Sequence, residues 1–153
     1  MKKFVVVLLA AMLCLSFAAC GGEKATDKTV DAAAMFKTLL TDVTYTDNAT
    51  ELDSSMAGVL LGGELPDGTE AYLAANDSAY LRCAVFACKD KDAAAAVKKL
   101  IQTYIDDSID AKYNVDEVAL LQNAKIHSMG NYVAVAVTSD TDNVNKVIDQ
   151  YFA

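Results

Sequence analysis

Residues 70–88, EAYLAANDSAYLRCAVFAC, decide the fold. Two strand-like runs, Glu70 to Ala75 and Ala79 to Cys88, flank the turn formers Asn76-Asp77-Ser78. Strand patterns on both sides of a short polar break predict a β-hairpin. Asp92 then caps a long helix whose apolar stripe is Ala93, Val97, Leu100, Ile101, Tyr104 and Ile105. The same order returns further along. Ala124 to Met129, a Gly130-Asn131 turn and Tyr132 to Thr138 read as a second hairpin. Asp142 caps a final helix with Val144, Val147, Ile148, Tyr151 and Phe152 on one face. Ala84-Val85-Phe86-Ala87 lies fifty residues before Ala134-Val135-Ala136-Val137, as does Asp90-Lys91-Asp92 before Asp140-Thr141-Asp142, which suggests a ββα repeat.

The expected architecture is therefore α+β: a four-stranded antiparallel sheet from two hairpins, with helices packed on one face. Alternation assigns Leu73, Leu81, Cys83, Val85, Ile126, Val133, Val135 and Val137 to the covered face. The opposite face then carries Tyr72, Tyr80, Arg82, Phe86, Cys88, Lys125, His127 and Tyr132. Tyr72, Tyr80, Arg82, Tyr132 and His127 form the candidate partner face, and they include the chain's only Arg and only His. Aromatic rings beside a guanidinium suit a partner protein, an extended peptide or a glycan. A slip of one residue in register would exchange the two lists.

Upstream of the first hairpin, Ala32, Met35, Phe36, Leu39, Leu40 and Val43 share one helical face, with Thr29 or Asp31 as N-cap. Residues 44–51 read as a polar loop. Asp53 to Leu61 fits a short helix ended by Gly62-Gly63, and Pro66-Asp67-Gly68 is a turn. A further short helix fits Asp116 to Leu121. One domain spans residues 29–153.

The start of the chain reads as an address. Lys2 and Lys3 precede a run from Phe4 to Ala19 whose single polar member is Ser16. The run falls short of the roughly 20 apolar residues that span a bilayer. A charged start, a short apolar stretch and small residues at its end mark residues 1–19 as a secretory signal. Leu15-Ser16-Phe17-Ala18-Ala19-Cys20 resembles the lipobox of bacterial lipoproteins, with Phe17 where that class usually has Leu. The resemblance implies cleavage before Cys20, a diacylglyceryl group on it, and a short tether over residues 20–28. The expected location is the extracytoplasmic side of the cell membrane, with the lipid on Cys20 as the membrane contact.

Cleavage would change the charge. The whole chain carries 13 basic and 21 acidic side chains, for a net −8. Losing two lysines and no acids takes the mature chain to −10. Such a body is repelled by anionic headgroups, so the lipid alone must hold it at a membrane. The acidity also argues against nucleic acid, which needs a basic face. Of four cysteines, Cys83 and Cys88 stay in the domain. Five positions apart along one strand, at ~3.3 Å per residue, they are too distant to pair with each other.

Signals of chemistry are sparse. His127 is the one His, and its neighbour Ser128 points to the opposite face of a strand, where the two cannot pair. The chain has no G-x-S-x-G, H-E-x-x-H, phosphate-binding loop or dinucleotide fingerprint. The expectation is a non-enzymatic module with no cofactor. Two alternatives come from particular residues. Asp106, Ser108, Asp110, Asn114 and Glu117 occupy positions 1, 3, 5, 9 and 12 of a calcium-loop spacing, with Ala111 where the loop's turn demands Gly. Cys88 and His127 would form a nucleophile and base if the hairpins lie side by side.

Beyond the lipobox, Val85-Phe86, Lys89-Asp90-Lys91-Asp92-Ala93-Ala94, Leu121-Gln122-Asn123-Ala124, Gly130-Asn131-Tyr132-Val133 and Ile148-Asp149-Gln150-Tyr151-Phe152 carry a further likeness. Over residues 28–153 the chain resembles an uncharacterised lipoprotein family of Gram-positive anaerobes, catalogued as a domain of unknown function. The resemblance implies an α+β fold and an envelope location, and no activity.

Overall fold

A computed structural model describes residues 28–111 and 114–153. Its elements run α1 (Ala32–Asp42), β1 (Thr50–Leu52), α2 (Met56–Leu61), β2 (Glu70–Ala75), β3 (Leu81–Ala87), α3 (Lys91–Ala111), α4 (Val115–Asn123), β4 (Lys125–Met129), β5 (Tyr132–Ala136) and α5 (Thr141–Phe152). The signal segment and Cys20 lie outside the described residues.

The α+β expectation holds, and both hairpins form: β2 pairs antiparallel with β3, and β4 with β5. The sheet has five strands, not four, in the order β1-β2-β3-β5-β4. The additional strand is Thr50-Glu51-Leu52, which pairs along the outer edge of β2. Three residues, two of them polar, are too few to show a period.

Helices also cover both faces of the sheet rather than one. On one face α2, α3 and α4 bury Leu61, Val97, Ile101, Ile105 and Leu121 against Leu73, Ala84, Phe86, Val133 and Val135. On the other, α1 and α5 bury Met35, Phe36, Leu39, Val144 and Val147 against Ala74, Cys83, Val85, Ala134 and Ala136. Strands covered twice lose the contrast between faces. Every residue of Leu81–Phe86 is accordingly buried, and so is every residue of Val133–Ala136.

Register corrects the expected sorting of strand residues. Ala84 pairs with Val135 and Val85 with Ala134, so Val85 and Val135 lie on opposite faces. Phe86 joins Val133 in the first core instead of facing outward. The register of β2 against β3 then shifts: Ala74 pairs with Cys83, but Ala75 pairs with Leu81. Arg82 is left without a partner on β2, as the extra residue of a β-bulge. Leu81 consequently packs in the first core and Cys83 in the second, although the two are two positions apart.

The helix starts follow from local hydrogen bonding. Asp31 caps α1, its Oδ1 accepting from Ala34 N at 2.9 Å. Asp90, two residues earlier than the expected Asp92, accepts from Ala93 N at 2.8 Å. Asn114 Oδ1 accepts from Asp116 N at 2.9 Å and so starts α4. Gly62, at φ 71°, ends α2 in the left-handed conformation that a residue with a Cβ enters at a cost.

Candidate functional site

The bulge at Arg82 turns the chain's one guanidinium into the interior, where it is 1% exposed. All five of its N–H donors are used. Nε donates to Asp47 Oδ1 at 2.6 Å, and Nη2 to Asp47 Oδ2 at 2.9 Å. Nη1 and Nη2 donate to Glu117 Oε1 and Oε2 at 2.8 and 2.9 Å, and Nη1 reaches Leu81 O at 3.2 Å. Two carboxylates thus hold one planar fork, the geometry in which an arginine bonds most strongly. Burial lowers the Arg82 pKa, and the bonds to Asp47 and Glu117 more than offset that, leaving it raised. The Arg82 bonds hold the Asp47 carboxyl down at about 2.

This network braces three separate pieces of chain. Asp47 belongs to the loop after α1, Arg82 to β3 and Glu117 to α4. The loop is held again at Thr44, whose N–H donates to Asp140 Oδ2 at 2.9 Å and whose carbonyl accepts from Thr138 Oγ1. Asn76 Nδ2 donates to Asp47 Oδ2 at 2.7 Å, while Asn76 Oδ1 accepts from Ser78 N and Tyr80 N. The β2–β3 turn is therefore tied to the same carboxylate. Its last residue, Ala79, sits at φ 61°, a strained value for a residue with a Cβ. Tyr104 of α3 closes the set, its hydroxyl accepting from Leu81 N at 3.0 Å.

An open groove of about 600 Å³ lies over this scaffold, between α2 on one side and α3 and α4 on the other. Its apolar surface comes from Leu52, Met56, Val59, Leu60, Leu61 and Val118. Polar groups enter it from Tyr80, Tyr104, Asp107 and Glu117. The described residues include three exposed large apolar side chains, and two of them, Met56 at 42% and Val59 at 73%, line this groove. Apolar surface gathered in one concave place marks a binding site more often than scattered exposed residues do.

The expected partner face does not assemble. Arg82 is sealed inside, and Tyr80 is the one member of the set that lines the groove. Tyr72 is half-buried on the other face of the sheet, its ring 6.2 Å from that of Phe36. Tyr132 packs in the same core, beside a separate cavity that it shares with Tyr72. His127 sits half-buried on edge strand β4, and burial together with nearby Lys125 lowers its pKa. With helices on both faces, these side chains are divided between the groove, the second core and an edge strand.

The calcium spacing meets a different fate. Asp106, Ser108 and Asp110 lie within α3, which runs unbroken to Ala111, so they are spread around a helix rather than wrapped in a loop. Asn114 is committed to capping α4 and Glu117 to Arg82. Among the described residues no group of three or more His, Cys, Asp or Glu is placed to hold a metal ion. The Cys88–His127 pairing also fails on geometry. Cys88 packs in the first core, whereas His127 is paired with Ala134 on the second face. Cys83 and Cys88 are both free, as their spacing implied, and both are buried, although Cys88 was expected on the uncovered face.

Sequence reasoning missed Asp47, Asn76, Met56 and Val59. Nothing local links Asp47 to Arg82, thirty-five residues away. Met56 and Val59 did carry a signal: Met-Ala-Gly-Val-Leu-Leu is apolar on every side, so a helix of that sequence packed on one face must expose some of it.

Residues 66–138 match a domain of unknown function, DUF4358. The match covers both hairpins, α3 and α4, and stops short of α1 and α5. No curated protein and no solved structure matches the chain.

Proposed function

We propose that this protein is a lipid-anchored, extracytoplasmic lipoprotein of the Gram-positive envelope, and that it works as a non-enzymatic binding or assembly module. Its partner would seat in the groove between α2 and α3–α4. The carrying observation is the convergence of exposed Met56 and Val59 on one apolar concavity whose walls are braced by the buried Arg82 network. A site that is already built loses less entropy on binding than one that must first order itself. Cys88 in the first core and His127 on the second face stand apart, which supports a binding role over nucleophilic chemistry by that pair.

The anchor rests on the sequence. Residues 1–19 have the pattern of a secretory signal, and Cys20 closes the lipobox-like stretch. No helix among the described residues is long and apolar enough to cross a membrane. The match over residues 66–138 is to a domain of unknown function, which accords with the resemblance to a family of that description.

Two measurements test these halves separately. Cells fed an alkyne fatty acid should label the wild-type protein and leave Cys20→Ala unlabelled; equal labelling would remove the anchor from Cys20. A photo-crosslinking amino acid at position 59 should yield discrete adducts on intact cells. The same group at exposed position 146, on α5, should not. Identical adduct patterns at both positions would reject the groove as the binding site.

A further inference from the structure

We propose that the groove receives a short amphipathic helix of a partner protein, with Lys or Arg flanking its apolar face. The inference deepens the binding role proposed above and rests on the groove being the binding site.

The groove walls are two helical stripes. Tyr104, Asp107, Ser108 and Ala111 stand at i, i+3, i+4 and i+7 of α3, and Met56, Val59 and Leu60 at i, i+3 and i+4 of α2. Such spacing puts each set on one side of its helix. The α3 stripe runs about 10 Å at 1.5 Å per residue, or two turns. That ridge and the shorter one on α2, about one turn long, make the seat that a third helix fills in helix-in-groove recognition. Val59, 73% exposed, belongs to the rim, where a helix lying along the groove would cover it.

Charge selects among helices. Among the described residues the lining includes Asp77, Asp107 and Glu117, and no Lys, Arg or His. Glu117 is already satisfied by Arg82. Exposed Asp77, in the β2–β3 turn, and exposed Asp107, on α3, make no ion pair among the described residues and stand beside the apolar floor. The mature chain would also carry a net charge of −10, which repels an acidic partner at long range. An apolar floor between carboxylates therefore complements an apolar helix face bordered by cations.

The test uses the full chain, ¹³C-methyl-labelled at methionine and held in nanodiscs of zwitterionic lipid. The probes are a synthetic amphipathic Leu/Lys peptide of about four turns, a scrambled peptide of the same composition, its Leu/Glu counterpart, and uncharged 1-octanol. Met56 reports from the groove, and Met35, fully buried on the inner side of α1, serves as the internal control. The Leu/Lys peptide should shift the Met56 methyl and leave Met35 in place. Its Kd should be at least roughly tenfold below those of the scrambled and Leu/Glu peptides. Val59→Asp should abolish the shift even though it adds negative charge, and Asp77→Asn with Asp107→Asn should weaken binding several-fold. Equal binding of the scrambled or the Leu/Glu peptide overturns the inference. If 1-octanol alone moves Met56, the groove stands as a site and the helix is rejected. If no probe moves it, both the inference and the groove fall.

Discussion

Arg82 and Glu117 face each other fork to fork, Nη1 to Oε1 at 2.8 Å and Nη2 to Oε2 at 2.9 Å, and both side chains are almost wholly withdrawn from water. Removing one member of such a pair strands a buried charge. Replacing both with apolar residues removes the desolvation cost together with the attraction. The pair joins β3 to α4 and so fixes one wall of the groove against the sheet.

Arg82→Met should therefore lower stability by about 3–5 kcal/mol, as should Glu117→Leu to a somewhat smaller extent, since Asp47 still satisfies part of the guanidinium. The double variant should recover much of the loss. Urea unfolding of the three proteins measures this. Additive losses in the double variant would mean that the two side chains act independently.

Acid should loosen the same network from its exposed side. Asp47, whose side chain is 40% exposed, has its carboxyl held from the usual 3.8 down to about 2 by the Arg82 bonds. A depressed folded-state pKa adds stability that is present in full above the unfolded value and lost as pH falls through the folded one. The contribution should hold at pH 5 and disappear between about pH 4 and pH 2, and solvent screening keeps it modest. Asp47→Asn should be less stable than wild type at pH 6, with a shallower decline across that window. Parallel stability curves for the two proteins would place the acid sensitivity elsewhere.

How much of this was legible before the structure depends on distance along the chain. Both hairpins, the long helix and the α1 cap at Asp31 follow from local signals and are present. The covered second face was hidden by Ala74, Ala134 and Ala136, small side chains that read as weakly apolar yet form the floor under α1 and α5. The bulge at Arg82 was hidden because no residue type specifies one, and it reverses parity midway through β3. The fifty-residue offset contained a clue. Ala84 pairs with Val135, so its equivalent Ala134 must lie on the opposite face, and the helices follow: α3 covers one face and α5 the other. Arg82 read as exposed because the two carboxylates that bury it are both thirty-five residues away.

The two thiols offer a check on the interior. Burial pushes the Cys83 thiol up to about 11 and also raises that of Cys88. Thiolate is the reactive form, so both should be nearly inert at neutral pH. Iodoacetamide at pH 7.5 should modify neither in the native protein, and both within minutes in urea. Fast native labelling of Cys88, read by mass spectrometry of peptides, would show that its corner of the first core opens readily.

The groove wall itself can be displaced by one methyl group. A Cβ on Gly58 would stand 2.9 Å from the carbonyl oxygen of Gly63, a backbone atom that cannot swing away as a side-chain tip does. Gly63 N also donates to Gly58 O at 3.0 Å, so the clash falls on the contact that folds the chain back at the end of α2. Better helix propensity from Gly58→Ala, about 1 kcal/mol, therefore competes with a forced shift of the whole turn. We expect the shift to win, with a net loss of about 1–2 kcal/mol. Met56 and Val59 ride on the same short helix, so the Met56 methyl resonance should move in Gly58→Ala while that of Met35, across the sheet, stays fixed. A stabilised protein with an unmoved Met56 resonance would mean that the α2 end has room for the methyl group, and that α2 is set more loosely against the sheet than the Gly58–Gly63 contact implies.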